Sequence, residues 1–418
     1  MKLLKITTAG SVDDGKSTLI GRLLYDTHSV PDDKKEEIFN TSIRRGGDEI
    51  DYSLFTDGLI AEREQGITID VAHIYFSTPK RKFIIADTPG HIEYTRNMIT
   101  GASNSDVAII LIDARNGILE QTKRHLFIIN LLQLKHIFVA VNKMDLIGFD
   151  QQKYDAIATE FKRTAKEFGI AESKLSIIPI SAKKGDNIMH VSENTPWYKG
   201  ISLLQALESF QIEEVIANED SLFNIQYVIR PKGDKWIDFR GYAGKVNAGT
   251  LSVGDEISTY PSKKTAKIKE IIYNQQAVEQ AVKGQSICIT LDKDVDLSRG
   301  EWLVNASTLN NEKTEVNATV CWLNEVVNAN VGSKFILQYG TTRTMVKLAA
   351  IDSELQLESL QFVKSDGTLS LNSIATTQWK TAQPVILSNS SNSQVIKNFI
   401  LIDEQTNNTV GVGIMNNN

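Results

Sequence analysis

Short apolar runs and longer amphipathic stretches alternate along the first half of the chain. "LLKIT" near the start, "KFIIA" (Lys82–Ala86), "DVAIILID" (Asp106–Asp113), "HIFVAVN" (His136–Asn142) and "SIIPIS" (Ser176–Ser181) are rich in β-branched and apolar residues. Between them "KSTLIGRLL", "QTKRHLFIINLL" and "KYDAIATEFKRTAKEF" carry the three-to-four-residue apolar spacing of helices. Strands that are apolar on both sides must be covered on both faces. The pattern therefore predicts an α/β domain with a parallel-dominated sheet and helices on each side. Every strand-to-helix turn of such a sheet falls at one edge, where these folds bind ligands.

The texture changes after "WYKGISLLQALESF" (Trp197–Phe210), and "IEEVIANEDS" reads as a linker. From Leu222 onward, short alternating runs such as "NAGTLSVGDEI", "VKGQSICITLD" and "TTRTMVKLAAI" are separated by Gly, Asn and Asp turns. Regular strand spacing of this kind predicts all-β barrels. We expect three domains: an α/β domain over 1–212, a first barrel over 213–305 and a second over 306–418. The "SNSSNS" and terminal "MNNN" stretches read as a loop and a frayed end.

Composition changes this picture little. The 418 residues are 41% hydrophobic and 23% charged, as in an ordinary soluble globular protein. A net charge of −6 supplies no global basic field to attract nucleic acid or an anionic membrane. No run of about 18 apolar residues occurs that would span a membrane. The amino end is too short in its apolar run for a signal peptide, so a cytoplasmic location is expected. Cys288 and Cys321 make no disulfide framework and lack metal-ligand spacing; both read as small buried hydrophobes.

Candidate chemistry begins at "GSVDDGKST", comprising Gly10, Ser11, Val12, Asp13, Asp14, Gly15, Lys16, Ser17 and Thr18. It follows a predicted strand, opens a predicted helix and fits the phosphate-binding loop pattern. Glycines let the chain wrap tightly so that successive N–H groups face phosphate oxygens, and the helix N-terminus adds its positive end. Lys16 is expected at the β/γ-phosphates and the Ser17 hydroxyl on Mg²⁺. "DTPG" (Asp87, Thr88, Pro89, Gly90) follows another strand; its aspartate suits a metal-bound water and its glycine N–H the γ-phosphate.

"NKMD" (Asn142, Lys143, Met144, Asp145) ends a third strand, and "SAK" (Ser181, Ala182, Lys183) a fourth. A carboxylate at Asp145 can accept two hydrogen bonds from the N1 and N2 donors of guanine, a pair that adenine lacks. Each tetrapeptide alone is a weak signal. In this order, all at strand ends, they indicate a site for GTP with Mg²⁺. "GIT" (Gly66–Thr68) offers the Thr68 hydroxyl to complete the metal shell with Ser17 and Asp87, behind a long charged insert over Pro31–Glu64 read as a switch loop. His91, next to "DTPG", stands where a water-positioning residue is needed, making His91, Lys16 and Thr68 the expected catalytic set. The other five histidines share no metal spacing and the five tryptophans read as packing residues.

"GKST", "REQGITID", "DTPGHIEYTRNMITGAS" and "NKMD" followed by two β domains resemble the translation-factor branch of GTPases. The wording of "SVDDGKSTLIGRLLYD", "DGLIAEREQGITIDVAHIYFST", "IILIDARNGILEQTKRH" and "FRGYAGKV" is similar to the large, GTPase subunits of bacterial ATP sulfurylases. That resemblance implies a GTPase subunit whose GTP hydrolysis drives formation of adenosine 5′-phosphosulfate and pyrophosphate from ATP and sulfate. It implies a separate small subunit that binds ATP and sulfate and performs adenylyl transfer, in a heterodimer or higher assembly. The chain carries no second phosphate loop and no His-x-Gly-His motif for that transfer, and no fused adenylylsulfate kinase is expected. Departures exist: Ile92-Glu93-Tyr94 stands where that family commonly has Glu-Gln-Tyr. The alternative is a translation elongation factor delivering aminoacyl-tRNA. Seven Lys/Arg against nine Asp/Glu from Ala306 onward offer that reading no basic surface.

Overall fold

The computed structural model describes residues 3–44, 50–56, 71–90, 95–212, 221–231, 239–304, 312–356, 358–386 and 397–416. The chain divides into two compact units, 1–213 with 357–360, and 214–418 without that short stretch.

Among the described residues the first unit contains six strands: β1 (Leu3–Ala9), β2 (Ala72–Ser77), β3 (Lys82–Asp87), β4 (Val107–Asp113), β5 (His136–Asn142) and β6 (Leu175–Pro179). Its helices are α1 (Lys16–Asp26), α2 (Asp32–Arg44), α3 (Thr95–Ala102), α4 (Glu120–Leu131), α5 (Gln151–Glu167) and α6 (Leu203–Ser209). The strand order is β2-β3-β1-β4-β5-β6, parallel throughout except for β2, an antiparallel edge strand. Every side chain of β4 is buried, as its unbroken apolar run requires. On one face Leu4, Ile6, Val107, Ile109, Leu111 and Phe138 pack with Leu19, Leu23, Leu203 and Leu207 of α1 and α6. Because β1, β3, β5 and β6 run the same way, their carboxyl ends bring the four candidate motifs to one edge.

The insert after Pro31 is not the plain loop that its charge suggests. It contains α2, of which only Ile38 and Ser42 are buried, and a 3₁₀ turn at Tyr52–Phe55 whose Phe55 joins the core. A helix with so narrow an apolar stripe gives little periodic signal. The rest of the insert, the linker after Ile212 and the "SNSSNS" tract lie largely outside the described residues.

The second unit is two closed antiparallel barrels. The first ring runs Glu256–Tyr260, Trp302–Val304, Leu222–Ile229, Gly241–Ala248, Ser286–Leu291 and Thr265–Tyr273, which pairs back to the first strand. The second runs Lys334–Tyr339, Asn398–Ile402, Thr409–Met415, Glu312–Trp322, Ile374–Ile386 and Thr342–Gln356, closing in the same way. Closure leaves no long free edge. Leu222, Tyr260 and Trp302 of the first ring share one buried cluster with Val316, Trp322, Tyr339 and Trp379 of the second. Trp302 stacks on Tyr339 with centroids 5.9 Å apart and donates its indole N–H to Thr342 Oγ1 at 2.7 Å. Asn224 Oδ1 accepts from the Thr341 N–H at 3.0 Å and from its hydroxyl at 2.6 Å. The barrels are thus bonded as one body. Cys288 is half-buried, Cys321 buried, and both are free thiols.

α1 packs so closely on the 3₁₀ turn that a Cβ at Gly21 would stand 1.8 Å from the Tyr52 carbonyl oxygen. Gly21→Ala is therefore expected to cost about 1–3 kcal/mol by overpacking and to lower Tm by roughly 2 °C or more. Thermal unfolding followed by circular dichroism measures it.

Candidate functional site

The turn after β1 is built by backbone that few residues tolerate. Gly15 has φ +96°, and a Cβ there would lie 2.4 Å from Asn142 Nδ2. Asp13 adopts φ 67°, a left-handed conformation in which Asp is among the better tolerated side chains. Asp14 turns inward, where its buried carboxylate accepts the Ser11 N–H at 2.6 Å and fixes the loop's width. Burial raises its pKa, partly offset by the Ser11 hydrogen bond and the Lys16 charge. Val12 is exposed, and Ser17 and Thr18 are half-buried on the first turn of α1.

Lys16 lies folded back over the loop, 7% exposed, with Nζ donating to the Gly10 carbonyl at 2.8 Å and the Ser11 carbonyl at 3.0 Å. Burial lowers its pKa, while the Asp87, Asp14 and Asp13 charges pull it back up. Its direct hydrogen bonds are to carbonyls, with no carboxylate paired to it among the described residues, and an enclosed ammonium of this kind favours an incoming anion. "DTPG" is pressed against it: a Cβ at Gly90 would stand 2.4 Å from Lys16 Nζ and 2.5 Å from the Gly10 carbonyl. Thr88 and Pro89 are buried, and the Thr88 hydroxyl donates to the Thr8 carbonyl. Asp87 is 3% exposed, and its Oδ1 accepts the Thr8 hydroxyl at 3.1 Å.

"NKMD" is bonded to the loop, and "SAK" to "NKMD". Asn142 donates from Nδ2 to the Asp14 carbonyl at 2.8 Å and accepts the Ala182 N–H on Oδ1 at 2.9 Å. Ser181 donates its hydroxyl to Asp145 Oδ1 at 2.7 Å and accepts the Lys184 N–H at 3.1 Å, which fixes that carboxylate's orientation. Met144 is buried beneath the turn, and Lys183 is exposed. From α1, Arg22 reaches the Lys183 carbonyl at 3.2 Å and pairs with Asp26 at 2.7 Å. The structure thus gathers the described members of the predicted set at one edge. Thr68 and His91 lie outside the described residues.

The motif search missed Asp113, Thr8 and Arg22. Asp113 closes β4, an otherwise apolar strand, and its side chain is 1% exposed. Arg115 grips it through Nε at 3.0 Å and Nη2 at 2.6 Å, and Lys143 Nζ lies 3.0 Å from Oδ2. A carboxylate ending an all-apolar run at the ligand edge was the available signal. Of the other histidines, His125 is buried in α4; burial, then the Lys16 and Arg124 charges, push its pKa down to about 3. Among the described residues no cluster of three or more His, Cys, Asp or Glu forms a metal site, and no helix is long and apolar enough to cross a membrane.

Fold and site together define a P-loop GTPase domain of the translation-factor type followed by two β-barrels. Residues 1–213 match the sequence model of the elongation factor Tu GTP binding domain, and residues 315–416 that of the GTP-eEF1A C-terminal domain-like family. The chain is 45% identical over 413 residues to the bifunctional enzyme CysN/CysC of Mycobacterium tuberculosis, covering 99% of this chain and 67% of that protein. Sulfate adenylyltransferase subunit 1 of Bacteroides thetaiotaomicron is 44% identical over 423 residues, covering 99% and 86%. The Saccharophagus degradans protein of that name is 44% identical over 416 residues, covering 99% and 87%. Among solved structures, the Saccharomyces cerevisiae Ski7 GTPase-like domain bound to GDP and inorganic phosphate shares the fold, with TM-score 0.52 and 18% identity over 100% of this chain and 97% of that one. The chain belongs to the sulfate adenylyltransferase subunit 1 family and is an enzyme subunit with a GTPase domain.

Burial opposes ionisation of Asp113, but the Arg115 hydrogen bonds and Lys143 outweigh it and hold the pKa at about 2. A depressed carboxylate stabilises the fold above its unfolded pKa near 4 and loses that contribution as pH falls through 2. The wild type should exceed Asp113→Asn by about 2 kcal/mol at pH 7, with the gap narrowing steadily below about pH 4. Urea unfolding across that range reads it.

Proposed function

We propose that the edge formed by residues 10–18, 87–91, 142–145 and 181–183 binds GTP with Mg²⁺. Hydrolysis there drives synthesis of adenosine 5′-phosphosulfate and pyrophosphate from ATP and sulfate on a separate small subunit. The observation that carries this reading is the hydrogen-bonded convergence of the phosphate loop, "NKMD" and "SAK", with "DTPG" packed beside Lys16, in a chain 44% identical, over 99% of its length, to a sulfate adenylyltransferase subunit 1. The designation "subunit 1" of those relatives supports a partner chain, and the Mycobacterium tuberculosis relative is named a bifunctional enzyme.

In this reading the loop N–H groups of residues 13–18 and the α1 N-terminus cradle the phosphates, and Lys16 contacts the β/γ-phosphates. Two of the three Lys16 N–H groups hold the Gly10 and Ser11 carbonyls, which fixes the position of the ammonium. Ser17, Asp87 and Thr68 supply only oxygen donors, with one carboxylate among them, a set that suits Mg²⁺ completed by phosphate and water. Magnesium contributes charge neutralisation on the phosphate oxygens. The Gly90 N–H reports the γ-phosphate, and His91 orients the attacking water.

On the base side, Asp145 is held by Ser181 through one oxygen, which leaves the carboxylate turned for the N1 and N2 donors of guanine. The Ala182 N–H is taken by Asn142 Oδ1, which fixes the turn whose other N–H groups would meet the guanine O6. Asp145→Asn exchanges an acceptor for a donor. It should weaken GTP by about 10–100-fold and improve xanthosine triphosphate, whose 2-oxo group suits an amide. Fluorescent-nucleotide competition measures both.

No arginine stands among the proposed catalytic residues, and such sites hydrolyse GTP slowly without help. Steady-state GTP hydrolysis is therefore expected to be slow for the chain alone and to rise about tenfold or more when the cognate small subunit, ATP and sulfate are all present, with pyrophosphate released. Turnover indifferent to those additions contradicts the coupling.

A further inference from the structure

Asp113 is an unusual end for a strand whose six preceding residues are apolar and buried. Its two oxygens are fully engaged. Oδ1 accepts the Arg115 backbone N–H at 2.9 Å and Nε at 3.0 Å; Oδ2 takes Arg115 Nη2 at 2.6 Å and Lys143 Nζ at 3.0 Å. Its backbone lies directly across from Asn142 in the β4–β5 register. Lys143 itself is in a left-handed conformation, φ 61°, and its ammonium donates to the Asp13 carbonyl in the middle of the phosphate loop.

An ordered chain therefore runs Arg115–Asp113–Lys143–Asp13, linking the end of β4, the base-recognition turn and the phosphate loop. Lys143 is a long, flexible side chain that loses rotamer freedom to hold one geometry. A buried carboxylate clasped by an arginine is a fixed anchor for it, because the bidentate fork leaves the Asp113 oxygens no freedom to turn. Asp13, whose carbonyl the lysine holds, is the left-handed hinge of the loop, so its peptide orientation decides where the neighbouring N–H groups point.

We propose that Asp113 is a positioning residue for nucleotide binding: through Lys143 it fixes the phosphate loop against the base-recognition turn and so sets how slowly guanine nucleotide is released. This rests on the GTP site described above. Asp113 touches neither phosphate nor base in that account, and the simpler alternative is that it only staples the turn it shares with Arg115. The two differ in one respect. A staple acts whether or not Lys143 is present, whereas a positioning residue has nothing to position once the ammonium is gone.

The experiment is a double-mutant cycle on the full chain, read as the release rate of a methylanthraniloyl-labelled GDP chased with unlabelled GDP. Asp113→Asn and Lys143→Met are each expected to speed release about tenfold, and the double variant is expected to lie within about twofold of Lys143→Met alone. Effects that multiply, or an Asp113→Asn release rate equal to wild type, overturn the proposal. If Asp113→Asn does not fold, the same cycle is run with Asp113→Glu, which keeps the buried charge for Arg115 while displacing the Lys143 ammonium; coupling supports the inference and multiplication overturns it. A wild-type chain that takes up no labelled GDP would instead contradict the nucleotide site itself, an outcome read before any variant is made.

Discussion

One side-chain amide holds the candidate site together. Asn142, at the end of β5 and 2% exposed, donates to the Asp14 carbonyl of the phosphate loop and accepts from the Ala182 N–H of the turn after β6. Both groups are main-chain, so the bridge sets backbone against backbone rather than one mobile side chain against another. Its fit is close enough that the neighbouring loop position must be glycine, since a Cβ at Gly15 would overlap the amide nitrogen. A buried amide with both ends satisfied is worth far more than its net hydrogen-bond energy, because losing either partner leaves a desolvated group unpaired.

Around that bridge polar side chains tie the strand ends and the loop together, mostly through main-chain carbonyls. Thr8 braces Asp87, Thr88 reaches the Thr8 carbonyl, Lys16 folds over Gly10 and Ser11, and Lys143 crosses to Asp13. The parallel sheet makes this possible by delivering four turns to one edge, and its apolar strands make it rigid. Pre-placed donors and charges of this kind need little reorganisation when a polyanion arrives, which is the general source of tight binding and of transition-state stabilisation in phosphate chemistry. The second unit contributes differently: its barrels share a single buried cluster and a set of polar links.

Much of this was legible in the sequence because two kinds of pattern coincide. Apolar runs place strands, and the motifs stand at the ends of those runs, so "GSVDDGKS", "NKMD" and "SAK" could be put on one edge without coordinates. Alternation with Gly and Asn turns gave the barrels in the same way. What escaped was whatever lacks a local period. α2 buries two residues of thirteen and reads as a charged loop. β2 is an antiparallel edge strand with half its side chains in solvent, so its run is less apolar than those of the buried strands. Asp113, Thr8 and Arg22 matter through partners far away in sequence, and no spacing rule announces such pairs.

The edge is proposed to be a guanine-selective triphosphate site. Calorimetric titration of the nucleotide-free chain with GTP and with ATP, each with Mg²⁺, tests it most directly. The account predicts saturable GTP binding at one site per chain and an affinity for ATP lower by about 100-fold or more, because adenine leaves the Asp145 carboxylate without its two donors. Equal affinity for the two nucleotides would contradict it.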